Sequence, residues 1–111
     1  MPAYTSNITI TQGEDFSKTY VVQDGYGNPR YIGGYEFVGK IRKHYGSNTS
    51  YDFEIEVISD QDSLIKLKMS NLVTKRIPIG RYFFDVKMVY LDDGNRSNII
   101  TGMATINGSA V

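Results

Sequence analysis

The stretch Arg81-Tyr82-Phe83-Phe84-Asp85-Val86-Lys87-Met88-Val89-Tyr90 decides the fold. Within it Tyr82, Phe84, Val86, Met88 and Tyr90 fall at every second position, with Arg81, Asp85 and Lys87 between them. Successive side chains of an extended chain point to opposite sides, so this spacing builds a strand with one face in a core. A helix would space its apolar residues by three and four. Phe83 and Val89 interrupt the polar side, which marks them as outward apolar residues and candidates for a protein interface.

The same period of two runs through the neighbouring segments. Phe53, Ile55 and Val57 alternate with Glu54 and Glu56, and after Ser59-Asp60-Gln61-Asp62 the residues Ile65, Leu67 and Met69 alternate with Lys66 and Lys68. This reads as a hairpin whose outward carboxylates face outward lysines, an arrangement that cross-strand pairing favours. Tyr35, Phe37 and Ile41 alternate with Glu36, Lys40 and Arg42 over Tyr35 to His44; Gly39 takes an apolar position there, which signals a bulge or a close neighbour. Phe16 to Gln23 is less regular, because Lys18 shares the register of Phe16, Tyr20 and Val22, and belongs near a sheet edge or a bulge. Asn7 to Thr11 and Ser97 to Asn107 bring the total to about seven strands, with turns about every 8 to 12 residues. The one helix-like stretch is Ser70 to Lys75, where Ser70 is placed to cap a single turn and Leu72 to enter the core.

Short strands without a long helix imply an all-β fold, an immunoglobulin-like antiparallel β-sandwich forming a single domain over residues 1–111. Tyr82, after Gly80-Arg81, takes the place where such sandwiches carry a tyrosine whose hydroxyl bonds back to the preceding turn. The 111 residues are 41% hydrophobic and 22% charged, a globular composition with enough chain to bury a core without staples. The antibody signature is missing, since there is no cysteine and no tryptophan.

Composition also narrows the chemistry. Without cysteine there is no thiolate nucleophile, zinc-thiolate site or disulfide. The sole histidine, His44, sits between Lys43 and Tyr45 with no Gly-x-Ser-x-Gly elbow anywhere, so neither a catalytic triad nor a zinc site is expected. The glycines of Asp24-Gly25-Tyr26-Gly27-Asn28-Pro29 and Gly33-Gly34 lie between strands rather than before a helix, where they serve turns and not phosphates. Twelve basic residues balance twelve acidic ones, a poor footing for nucleic acid or an acidic membrane. The opening residues lack a basic start and apolar stretch of a secretory signal, and no run approaches the roughly 20 apolar residues of a membrane helix. No enzyme activity, cofactor or metal is expected.

The loops are more informative. Alternating strand direction gathers Asp24, Asp60, Asp62, Asp92 and Asp93 at one end. Calcium uses such oxygen-rich loops, but aspartate is also a favoured turn residue, and no Asp-x-Asp-x-Asp-Gly loop with a distal Glu is present. The opposite end receives Lys43, His44, Tyr45, Tyr51, Lys75 and Arg76, tempered by Glu14 and Asp15. Nine tyrosines and five phenylalanines supply aromatic contact area. Tyr26 and Tyr31 fall at one end and Tyr45 and Tyr51 at the other, which suits protein interfaces better than one flat sugar platform.

The order of these features resembles the small immunoglobulin-like domains of tailed-bacteriophage structural proteins, especially the N-terminal domain of baseplate upper proteins. The resemblance is carried by Gln12-Gly13-Glu14-Asp15-Phe16, by Asp24-Gly25-Tyr26-Gly27-Asn28-Pro29, and by Lys40-Ile41-Arg42-Lys43. Tyr31-Ile32-Gly33-Gly34-Tyr35 is similar to the family's aspartate-leucine-threonine-glycine step, though its first three residues depart from it. Ile77-Pro78-Ile79-Gly80-Arg81-Tyr82-Phe83-Phe84-Asp85-Val86 and Asp92-Asp93-Gly94-Asn95 with Ile99-Ile100-Thr101-Gly102 look most like the family. The resemblance implies a non-enzymatic structural or assembly domain of a virion, in the tail or baseplate, made in the host cytoplasm without a signal peptide. Its partners would be other virion proteins or copies of itself, met through Tyr26, Tyr31, Tyr45, Tyr51, Phe83 and Val89. The alternative from another class is a carbohydrate-binding or adhesion module.

Overall fold

A computed structural model describes residues 4–23, 31–44 and 49–108. The strands are β1 (Tyr4–Thr5), β2 (Ile8–Thr11), β3 (Phe16–Val21), β4 (Tyr35–Arg42), β5 (Ser50–Asp52), β6 (Glu54–Ser59), β7 (Leu64–Met69), β8 (Gly80–Tyr90) and β9 (Arg96–Asn107), with one short helix, α1 (Asn71–Thr74), between β7 and β8. One sheet runs β1-β9-β8-β4-β5, with β2 also on β9, and the other runs β3-β7-β6. The protein is therefore the expected all-β sandwich. Strands β3, β7 and β6 facing β4, β8 and β9 give the division of strands between sheets that defines the immunoglobulin-like fold.

Two details differ from the sequence expectation. Among the described residues nine strands replace about seven, because Tyr4–Thr5 and Ser50–Asp52 add short pieces to the edges. The pairings among β3 to β9 are antiparallel, but β1 and β2 run parallel to β9. Alternation of apolar residues sets which face is buried; it carries no information on strand direction.

The core is the set of inward positions from both layers. Strand β8 supplies Tyr82, Phe84, Val86 and Met88, β7 supplies Ile65, Leu67 and Met69, and Ile100, Ala104 and Ile106 follow from β9. Phe53 links the layers, with its ring centroid 6.0 Å from Phe84 and 6.1 Å from Phe16. Gly39 has the close neighbours that its apolar register implies. A Cβ there would stand 3.2 Å from Ile55 and 3.3 Å from Val86, so the side chain of the opposite layer fills its place. Strand β3 lies at a sheet edge, as Lys18 predicts; its Nζ reaches the Ser6 hydroxyl at 3.4 Å and stands over the Tyr20 ring. The β8–β9 register shifts between Val86 and Lys87, a bulge that leaves both Ile99 and Ile100 buried.

The end of the sandwich around α1 is cross-linked by polar bonds. Tyr82 Oη donates to the Pro78 carbonyl at 2.6 Å, the predicted bond back to the turn. Leu72 does not enter the core: it is 64% exposed, and the buried residues are Thr74 and Ile77. Thr74 Oγ1 accepts from the Gly13 amide at 3.1 Å and donates to the Glu14 carbonyl at 2.9 Å, so a polar side chain is buried because it ties two turns together. Ser70 sits at the N-cap without a side-chain bond; the Asp15 carboxylate instead accepts from the Asn71 amide at 2.7 Å.

Candidate functional site

Strand β8 places the site by its own alternation. While Tyr82, Phe84, Val86 and Met88 face the core, Phe83, Asp85, Lys87 and Val89 face outward, flanked by β4 and β9. Register sets their neighbours. Phe83 lies opposite Arg42 and Met103, Asp85 opposite Lys40 and Thr101, Lys87 opposite Val38 and Asn98, and Val89 opposite Glu36 and Arg96.

A shallow depression of about 160 Å³ opens on this face. Val38, Gly39 and Phe83 give it apolar surface, Asp85 is its acid, and Lys40, Arg42, Lys87 and Arg96 supply four cations. Lys40 is paired with Asp52 of β5 at 3.4 Å. Among the described residues, no carboxylate lies within 4.0 Å of the charged groups of Arg42, Lys87 or Arg96. The face therefore joins apolar surface to an excess of cations, with Asp85 among them and Glu36 opposite Val89.

The expected interface residues separate into three groups. Phe83 and Val89 share this outer face, six residues apart on one strand, or roughly 20 Å. Tyr31 is 63% exposed at the other loop end, beside Ile32, whose amide donates to the Asp60 carbonyl. Tyr51, on β5, is half-buried and packs against the core opposite Ile41. Tyr26 and Tyr45 lie outside the described residues.

The acidic turns are occupied by their own hydrogen bonds. Asp93 accepts from the Asn95 amide and side-chain nitrogen, both at 2.9 Å, and Asp62 accepts from Ser59 Oγ at 3.1 Å. Asp92 accepts a hydrogen bond from Tyr90, which, with its negative charge, raises the Tyr90 phenol above its ordinary value. Among the described residues, no three His, Cys, Asp or Glu side chains converge as a metal site would require. His44 is exposed beside an exposed Lys43.

Sequence reasoning missed the cation cluster, although it named every strand that carries it. The outward places of Lys40, Arg42 and Lys87 were readable from alternation; their convergence depends on which strands pair and in what register.

No protein-family model and no curated protein matches the chain. Among solved structures it is similar to InlP of Listeria monocytogenes, with a TM-score of 0.51 and 18% identity. The match takes in 95% of this chain and 28% of InlP, so the chain spans little more than a quarter of that protein. At such identity the likeness shows a shared fold.

Proposed function

We propose that this protein is a non-enzymatic assembly domain that works by protein–protein contact through the outer face of β4, β8 and β9. The observation that carries the reading is the joining of Phe83 and Val38 with three cations that, among the described residues, have no carboxylate within 4.0 Å, around one depression. Apolar surface beside arginine is the composition that protein interfaces enrich. The depression is too small and open to enclose a drug-sized substrate, whose pockets run from about 300 Å³ upward. An exposed histidine and turn-bound aspartates likewise offer little acid–base machinery.

The place we propose for the domain is a bacteriophage particle, in the tail or baseplate. Supporting it is the resemblance of the segments from Ile77 to Val86 and from Asp92 to Gly102. A contact domain of this kind gains strength from repetition, because many weak copies in a particle act together. Mass spectrometry of purified particles tests the location: the protein is expected in them in reproducible copy number, and consistent absence ends the virion reading. A photo-reactive residue in place of Val89 tests the surface. It should cross-link to a virion protein, whereas the same group in place of Thr19, on the outer side of the other sheet, should not.

A further inference from the structure

Resting on that reading, we infer that the depression on β4, β8 and β9 takes an acidic segment of a partner protein that carries an apolar anchor. Two features point to this class. Val38, 38% exposed, offers a contact for one apolar side chain, with the half-buried Phe83 beside it. Around them Arg42, Lys87 and Arg96 have no carboxylate within salt-bridge range among the described residues. Arginines and lysines with apolar stems and no partner of their own are poised for carboxylates, and arginine can grip one with two parallel hydrogen bonds.

The charge pattern also separates this occupant from a uniform polyanion. Asp85 lies among the cations, and Lys40 is already neutralised by Asp52. A nucleic acid or sulfated sugar would bring its repeating charge against Asp85 and leave the aromatic floor without a matching group. A peptide with spaced carboxylates and an apolar residue between them avoids both faults.

The test is a titration of the isotope-labelled full chain, followed by amide NMR, with three synthetic probes: an alternating Asp-Leu peptide, its Lys-Leu counterpart and a heparin oligosaccharide. The Asp-Leu peptide is expected to shift amides of Val38, Arg42, Phe83 and Lys87. Its affinity should drop at least tenfold in the double variant Lys87→Glu, Arg96→Glu and fall as salt rises. Phe83→Ser should weaken it while leaving the fold's spectrum intact.

If the Lys-Leu peptide shifts the same amides as strongly, the acidic preference is overturned and the protein-contact face stands. If no peptide shifts this face at millimolar concentration, the inference and the contact reading fall together. Tighter heparin binding that ignores Phe83→Ser would reassign the face to a polyanion. Concentration-dependent shifts of these amides without any probe would assign it to a second copy of the chain. Either outcome overturns the proposal.

Discussion

The two outer faces of the sandwich are built from the same alternation and end differently. On β6 and β7, register sets Glu54 opposite Lys68 and Glu56 opposite Lys66, and Lys68 Nζ lies 3.9 Å from Glu54 and 3.6 Å from Glu56. On β4, β8 and β9, Arg42 lies opposite Phe83, Lys87 opposite Val38 and Asn98, and Arg96 opposite Val89. On the first face Lys68 holds both glutamates. The second sets Arg42, Lys87 and Arg96 beside apolar side chains, with Asp85 and Glu36 on the same face but, among the described residues, no carboxylate within 4.0 Å of these three. The proposed contact reading rests on that difference rather than on a count of exposed hydrophobic residues, which occur singly on most protein surfaces.

The largest expected effect comes from testing both sides of β8. Phe84 is buried and Phe83 half-buried on the outer face. Phe84→Ala should cost about 3–5 kcal/mol, by lost burial plus a cavity, and is expected to unfold a large share of the protein. Phe83→Ala should cost under about 1 kcal/mol while weakening partner contact. Paired urea titrations measure the difference; equal losses would make Phe83 a core residue and remove the contrast between strand faces.

A second variant tests the border of the β4-β8-β9 sheet, where the parallel edge meets β9. A Cβ at Gly102 would collide with the Ser6 carbonyl oxygen, and the Ser6 amide donates to Thr101 at 2.9 Å. Gly102→Ala should therefore push β1 and β2 off the sheet and destabilise by about 1–3 kcal/mol, the range of overpacking. Hydrogen exchange should show lost protection over residues 4–11 with β6 and β7 unchanged. A neutral outcome would mean that the edge yields without strain.

Much of this organisation was legible in the residues. Alternation at Tyr82 to Tyr90 and Ile65 to Met69 identified the strands and their buried sides, and lysines against glutamates identified the paired charges of β6 and β7; Val57, expected inward with Phe53 and Ile55, is instead 43% exposed next to a register shift. Gly80-Arg81-Tyr82 identified a tyrosine bonded to its turn. Thr74 escaped because a buried hydroxyl held by two backbone bonds has no hydrophobic signal, and Leu72, the more apolar neighbour, drew the expectation instead. The bulge at Ile99 and the cation cluster escaped for a common reason. Both depend on register between strands distant in sequence, and a period of two is the same in every register that differs by two.

Tyr82, on the core side of β8, gives a smaller, pH-dependent effect. Burial, and to a lesser degree Tyr51, raise the Tyr82 phenol above its ordinary value near 10. The unfolded chain then loses this proton first as pH rises, so the stabilisation is complete below about pH 10 and is lost as pH climbs through the folded value. Tyr82→Phe should remove the bond to Pro78, cost about 0.5–1.5 kcal/mol near neutral pH and flatten the alkaline limb of the stability curve. An unchanged alkaline limb would assign that loss to other tyrosines.

The smallest effect bears most directly on the two faces. Lys68 is paired twice but still about a third exposed, so Lys68→Ala should cost no more than about 0.5 kcal/mol, and less in high salt. Lys87 has no such partner among the described residues, and with Asp85 and Glu36 as well as cations around it Lys87→Ala should leave stability within about 0.5 kcal/mol of the parent. The two lysines should therefore exchange order between assays: Lys68 matters to the melting temperature and not to partner contact, Lys87 to contact and not to melting. Measured at low and high salt, a stability loss for Lys87→Ala equal to that for Lys68→Ala would mean that the second face satisfies its own charges. The distinction between a closed and an open face would then disappear, because charge that is already compensated inside the fold has nothing left to offer a partner.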